Sequence, residues 1–418
     1  MPRKAVSMLM VTLLLIGFLG LVFSVRPAEA SGTVYIRADG TVDPPIASVW
    51  IERDWDLYTF TCNIYDSIIV ERDNIVLDGG GYILEGDGSG KGIDLTERSN
   101  VTVRNVKIKR FFHGVFLCRS SFNNIYGNDI EENNLQSPRY DGIYLNDSFN
   151  NTISGNNIRN NGDGIEFVAY CSGNRVLGNN ITNNYEGIDL WHSSLNVVSG
   201  NNITDNNWDG IEVLYSSWNI ISENTVTENY YDGIKIQNSS SNSIWRNLIR
   251  SNGNGIEFKA YSANNSALKN NLTDNMFGIY LQDSSSNSFC HNCFFDNDVQ
   301  VYCYDSSNVW DNGSEGNYWS DYNGTDGDND GIGDAPYVVG ESDFDRYPLM
   351  NPWVPKKTLI TDINGDGTVN ILDIGIVALV FGSRLGDENW NERTDLDRNG
   401  VINILDLSMV ARDYGKKA

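Results

Sequence analysis

Cations, imidazoles and long apolar runs are what this chain has least of. Its 418 residues hold 30 Lys and Arg against 55 Asp and Glu, a formal charge of −25. A partner rich in phosphate needs a basic footprint, so nucleic acid is excluded. Three histidines leave little imidazole for a soft-metal centre. Six cysteines, at 62, 118, 171, 290, 293 and 303, are too few and too scattered for a disulfide framework, and a chain of this size does not need one. Beyond the first 30 residues no segment is apolar over enough length to cross a membrane.

What is there begins with those 30 residues. Arg3 and Lys4 precede an apolar run from Val6 to Val25, and Ala28-Glu29-Ala30 supplies a small-x-small site. That is the layout of a secretory leader, residues 1–30, cleaved before Ser31. An uncleaved anchor is the alternative, because the run is nearly long enough to span. Either way the bulk of the protein is expected outside the cytoplasm, secreted or at the cell surface. The acidic balance suits that setting and suits bound calcium.

The middle of the chain repeats. Gly92, Gly114, Gly142, Gly164, Gly187, Gly210, Gly233, Gly255 and Gly278 are separated by 22 or 23 residues, except for one gap of 28 around the insertion at Leu135–Tyr140. Two asparagine series run in step, one as Asn124, Asn151, Asn174, Asn196 and onward to Asn287, the other as Asn128, Asn156, Asn179, Asn201 and onward to Asn292. The period is too short for paired helices, and Asn, Gly, Ser and β-branched residues are wrong for them. Alternation in Ile165–Phe167, Ile188–Leu190 and Ile211–Val213 reads as short strands bounded by turns. A unit of three short strands cannot bury its apolar face alone, and stacking supplies the core. The expectation is a mainly β chain: a right-handed parallel β-helix of about ten coils, with inward Ile, Leu and Val and with turn asparagines hydrogen-bonded coil to coil. Residues 31–66 are read as starting strands or a cap, 67–308 as the β-helix, 309–350 as an aromatic and acidic closing segment, and 351–358 as a linker.

The Gly-Ile-x-Leu, Ser-x-x-Asn and Gly-Asn-x-Ile pieces resemble the carbohydrate-binding and sugar-hydrolase repeat family and the related NosD-like periplasmic proteins. That resemblance implies the fold strongly and a function weakly. Pectin-cleaving β-helix enzymes carry paired Asp, Gly-His-Gly and Arg-x-Lys motifs, and uronan epimerases carry Asp-Pro-His. None of these occurs here.

Residues 359–418 contain a loop written twice. Asp362, Asn364, Asp366, Asn370 and Asp373 fall at positions 1, 3, 5, 9 and 12 of a calcium loop, with the Thr368 carbonyl at 7 and Gly367 at the sharp turn. The second copy, 33 residues on, offers Asp395, Asp397, Asn399, Asn403 and Asp406 with the Val401 carbonyl. Oxygen donors at this spacing suit calcium, which is the expected cofactor. Each loop ends in Asp and lacks an entering helix, so the region resembles a type I dockerin. That resemblance implies docking onto a cohesin-domain protein, with Ile371-Leu372 and Ile404-Leu405 at the positions that contribute to partner choice; these four could instead be core. A third acidic loop puts Asp326, Asp328, Asp330 and Asp334 at positions 1, 3, 5 and 9, a further candidate calcium site.

Strand alternation points the residue after each Gly-Ile outward. Stacking sets these in one column, in which Glu166, Asp189 and Glu212 are adjacent carboxylates ~4.8 Å apart per coil, close to the separation that retaining glycosidases use. They are the candidate catalytic residues. Tyr144, Tyr185, Trp191, Trp208, Tyr231 and Glu257 are the candidate polysaccharide contacts, because aromatic faces and carboxylates along a groove suit sugar rings and hydroxyls. Two rival readings stay open. One is a non-catalytic adhesion or scaffold surface. The other is a copper-handling accessory role built on Cys290-His291-Asn292-Cys293, for which a disulfide or plain packing is the bland account. His113 and His192 have no evident His or Cys partner in the sequence.

Overall fold

The computed structural model describes residues 32–133, 140–340, 343–353, 360–364, 368–384 and, apart from 385, 388 and 398, those up to 416. The expected leader, most of the 135–140 insertion, most of the linker, and Asp366 with Gly367 lie outside the described residues. The chain divides into two units, one ending at Pro352 and one beginning at Trp353.

The first unit is a parallel β-solenoid of about eleven coils, whose sheets carry 13, 11 and 12 strands. One coil shows the plan: Asp163–Val168 lies in the 13-stranded sheet (sheet 1), Arg175–Leu177 in the 12-stranded sheet and Asn180–Thr182 in the 11-stranded sheet, before the chain returns to sheet 1 as Glu186–Trp191. Register is strict from coil to coil, as in Ile165 opposite Ile188 and Ile188 opposite Ile211. The stack starts earlier than the repeat suggests, because Val34–Ile36 already pairs in parallel with Ile68–Val70.

Inward residues form apolar columns. Ile165, Ile188, Ile211, Ile234, Ile256 and Ile279 are all fully buried, each contributing roughly 1.5–3 kcal/mol. The periodic glycines serve the same packing. A Cβ on Gly187 would sit 2.3 Å from the Gly210 carbonyl oxygen and 2.7 Å from Ile203, so the position requires glycine for close approach of the next coil.

Buried amides join the coils. Asn219 Oδ1 accepts from the Asn196 backbone N–H at 2.9 Å, and Asn219 Nδ2 donates to Ser193 O and to Asn242 Oδ1. This ladder begins at Asn123, which is buried, and not at Asn124, which lies one residue on in the strand Asn124–Tyr126. A second ladder follows the expected Asn128 series. A third, through Asn133, Asn161, Asn184 and Asn206, was not anticipated, nor was a serine ladder through Ser193, Ser216 and Ser239. Cys171 takes a serine's place in that last series, its Sγ accepting from Ser148 N. Each rung satisfies turn backbone that burial would otherwise orphan.

The closing segment ends two of these ladders with carboxylates. Asp343 accepts from Asn308 N and Trp310 Nε1; Asp345 accepts from Asn317 N and Trp319 Nε1. Both indoles are buried, Trp310 stacked on Phe289 and Trp319 on Phe294.

The second unit packs two helices, α1 (Ile371–Leu379) and α2 (Ile404–Arg412), over Ile363, Val369, Val377, Leu396, Ile402 and Val410. It is internally two-fold. Val369 exchanges backbone hydrogen bonds with Gly415 and Lys416 after α2, and Ile402 does the same with Gly382 and Ser383 after α1. Among the described residues no helix is long and apolar enough to cross a membrane.

Candidate functional site

The outward column of sheet 1 assembles in the expected order. Register pairs Tyr144 with Glu166, Glu166 with Asp189, Asp189 with Glu212, Glu212 with Lys235 and Lys235 with Glu257. Beside it, just before each glycine, stand His113, Asp141, Asp163, Glu186, Asp209 and Asp232, and these are buried or half-buried. The face has three zones. His113, Phe116 and Tyr144 stack at the N-terminal end, with Phe116 and Tyr144 5.1 Å apart and nearly parallel. Carboxylates fill the middle. Phe277, Tyr280 and Tyr302 close the C-terminal end.

Hollows of about 560 and 460 Å³ lie elsewhere, around the last coil and its closing segment. Tyr185, Trp208 and Tyr231 form a shelf along one edge, the first two rings stacked at 5.7 Å and the last two tilted by 44° at 4.0 Å. Trp191, His192 and Tyr215 form a second series, with His192 and Tyr215 parallel at 4.9 Å. Tyr231, Trp191 and Tyr215 are 42, 39 and 50% exposed, so their rings are available to a ligand.

The carboxylates are less exposed than outward strand positions suggest. Glu212 and Glu257 retain only 9 and 6% exposure. Lys235 Nζ lies 2.8 Å from Glu212 and 3.3 Å from Asp209, which gives this pair an internal counter-ion and holds the lysine well above its ordinary range, against its own desolvation. Glu257 has Lys259 at 3.4 Å. Burial raises the neighbouring acids: Asp141 to about 7, Glu186 to about 8 and Asp209 to about 6. Asp163 and Asp189 are raised well above the carboxylate range by burial, and then by each other's neighbours. His113 is pushed down to about 4 by burial.

His113 was not legible as part of this site. It reaches Asp141, with Nδ1 2.9 Å from Oδ2, although the two are not aligned as a hydrogen bond. The signal was its place before Gly114, which matches Asp141 before Gly142.

In the second unit Asp395, Asp397 and Asp406 bring carboxylate oxygens within 4.8 Å of one another. Asp395 accepts from the backbone N–H of Asn399 and Gly400, and Asn399 Oδ1 accepts from Val401 N. Asp406 accepts from Leu396, Asp397 and Asn403; Asp373 in the first loop accepts from Ile363, Asn364 and Asn370. Asn370 and Asn403 have an additional use. Their side-chain oxygens cap α1 and α2 through Leu372 N and Leu405 N, while their amides donate to the Thr368 and Val401 carbonyls. The donor set is all oxygen and pre-shaped, which fits a calcium ion. Ile371, Leu372, Ile404 and Leu405 are 64, 59, 62 and 55% exposed, so they form surface and not core. The third acidic loop repeats the pattern: Asp326 accepts from Asp330 N and Gly331 N, and Asp330 Oδ1 accepts from Ile332 N.

The cysteine cluster does not converge. The Cys290 thiol is buried, directed at the Glu315 carbonyl and pushed up to about 12; Cys293 is pushed up by burial to about 11; His291 pairs with Glu315 at 2.7 Å. All six cysteines are free. Among the described residues these side chains do not gather into a group of three metal-ligating atoms.

Three family models match the chain. Residues 134–324 match the periplasmic copper-binding protein NosD, 48–203 a right-handed β-helix region and 360–413 a type I dockerin domain. A probable ABC transporter binding protein NosD of Pseudomonas aeruginosa is 37% identical over 106 residues, 24% of each chain. Its namesake from Stutzerimonas stutzeri is 36% identical over 92 residues, 22% of this chain and 21% of the relative. The matched stretch thus spans less than a quarter of these relatives' length. Among solved structures, the A-module of an Azotobacter vinelandii mannuronan C-5 epimerase is 14% identical over 61% of this chain and 88% of its own, with a TM-score of 0.39. PfbA, a surface adhesin of Streptococcus pneumoniae, is 14% identical over 60 and 81%, with a TM-score of 0.41. At those scores the likenesses say nothing about chemistry.

Proposed function

For a chain that joins right-handed β-helix repeats of NosD type to a C-terminal type I dockerin domain, we propose an exported protein that presents a polysaccharide-binding face while its dockerin docks onto a cohesin-domain partner. The observation that carries the carbohydrate reading is the shelf of Tyr185, Trp208 and Tyr231 running parallel to a carboxylate column. Sugar rings stack on such a shelf and their hydroxyls donate to such carboxylates. A face that crosses several coils suits a long polymer. Tyr144, Trp191 and Glu257 extend the contacts.

Cleavage is the second step of the same proposal. Asp189 and Glu212 are register neighbours, and Glu166 lies one coil earlier, which is near the carboxyl separation of a retaining hydrolase. Calcium in the dockerin loops would be structural, held by Asp362, Asn364, Asp366, Thr368, Asn370 and Asp373 in the first and by Asp395, Asp397, Asn399, Val401, Asn403 and Asp406 in the second. Asp326, Asp328, Asp330 and Asp334 would hold a further ion. The exposed Ile371, Leu372, Ile404 and Leu405 would meet the cohesin, and the two-fold arrangement offers two docking orientations.

The test is incubation of the full chain with acidic and neutral polysaccharides in millimolar calcium, following binding, reducing ends and unsaturated-product absorbance. Binding that is lost in Trp208→Ala supports the face. Reducing ends that are lost in Asp189→Asn and Glu212→Gln support hydrolysis, and absorbance indicates a lyase. Binding without product makes the β-helix an adhesion surface. Absence of binding across the panel overturns the reading.

A further inference from the structure

The carboxylates between Asp141 and Asp189 differ from those on either side. Asp209 and Glu212 have Lys235, and Asp94 has Lys91 at 2.9 Å. Among the described residues no Lys or Arg pairs with Asp141, Asp163 or Asp189. Ligand oxygens of Asp141, Asp163 and Glu166 nevertheless lie within 4.8 Å of one another, and those of Asp163, Glu186 and Asp189 do the same. Asp163 belongs to both groups.

Asp163 N donates to Asp141 Oδ1 at 3.2 Å, but three other carboxylate oxygens here have no donor. The Asp141 side chain is 0% exposed, and its Oδ2 has no hydrogen-bond partner. Oδ1 of Asp163 and Oδ1 of Asp189 are likewise buried and unmatched. Across from Asp141 Oδ2, 2.9 Å away, stands His113 Nδ1, itself unmatched. Buried polar atoms are nearly always satisfied, and orphaned acceptors within two carboxylate groups that share Asp163 mark a place for a positive charge.

We propose that Asp141, Asp163 and Glu166 hold a hard divalent cation of the calcium class on the face of sheet 1. The donors are carboxylate oxygens, which select calcium, magnesium or manganese over softer metals. Their irregular disposition across two coils, with Glu186 and Asp189 adjoining, suits calcium's six to eight flexible ligands better than the strict octahedron of magnesium. The cation takes the place that lysine holds beside the carboxylates of the flanking coils. The site is separate from the dockerin loops, and its test needs no polysaccharide.

Calcium bound per full chain, counted by equilibrium dialysis after exhaustive chelation and return to millimolar calcium, tests the site. Asp163→Asn removes one charge at nearly constant volume. The variant is expected to bind one ion fewer than the parent with an unchanged far-ultraviolet circular dichroism spectrum. Equal counts overturn the proposal. Should Asp163→Asn lose the β spectrum, Glu166→Gln is counted in its place, and a full count there overturns the proposal. Terbium gives a second readout. In the full chain carrying Asp326→Ala, Asp362→Ala and Asp395→Ala, which disables the three acidic loops, emission sensitised through Tyr144, the register neighbour of Glu166, should persist and should vanish on adding Asp163→Asn. Emission that survives Asp163→Asn also overturns it.

Discussion

In the β-helix one buried cluster runs from Val34 to Trp319, and every coil adds the same inward residues and the same amide rungs. In the dockerin six side chains make up the buried core among the described residues, around loops whose carboxylates accept from their own backbone. The first region is stabilised by repetition, since each coil satisfies the next. The second is too small for its core alone to supply much stability, and clustered carboxylates without an ion oppose folding. One sequence thus joins a unit with a long continuous core to one with a small core and carboxylate-rich loops.

Chelation should separate them most sharply. With calcium at 1,000 times its dissociation constant each dockerin loop gains about 4 kcal/mol, so removing the ion should abolish the dockerin transition in calorimetry while the β-helix transition stays well above it. A dockerin transition that is indifferent to chelator would end the distinction. Next in size, Asn219→Ala should cost about 4 kcal/mol in urea unfolding, because it strands the Asn196 N–H and leaves Ser193 O without its donor. A loss below about 1 kcal/mol would show that the ladder contributes no more than an ordinary surface contact.

Glycine sharpens the comparison further. Gly187→Ala should destabilise the β-helix by about 3 kcal/mol, since its Cβ meets the Gly210 carbonyl oxygen at 2.3 Å. The closing carboxylate adds a pH dependence. Asp345 sits at about 6, raised mainly by burial, so the folded chain keeps a proton that the unfolded chain releases near pH 4. The stability this group contributes is complete below about pH 4 and is lost as pH rises through about 6, a span of roughly 3 kcal/mol. Asp345→Asn should flatten urea midpoints over that range relative to the parent. The smallest effect has the opposite sign. Gly375, inside α1, has open space around its Cβ position and no positive φ, so Gly375→Ala should stabilise the dockerin by about 0.5–1 kcal/mol, read as a shift of its calorimetric transition in calcium.

The parallel stack and the outward column were readable because a solenoid converts sequence period directly into spatial neighbourhood. Glu166, Asp189 and Glu212 therefore sit where counting put them. The Asn123 error came at the one irregular gap: with 28 residues to the next glycine, counting cannot tell which of two adjacent asparagines turns inward. The third asparagine ladder and the serine ladder were legible in principle, since Asn161, Asn184 and Asn206 keep the same period, but a polar residue in a turn also reads as solvated.

What the sequence determined by itself is the coil period, the inward and outward faces and the duplicated acidic loops, because each follows from local alternation or fixed spacing. Tertiary structure alone decided how deeply the carboxylates of sheet 1 sink, which of them receive Lys235, that His113 meets Asp141, and that Ile371, Leu372, Ile404 and Leu405 face outward. Those outcomes depend on packing between segments that local pattern does not encode, and burial is a property of that packing.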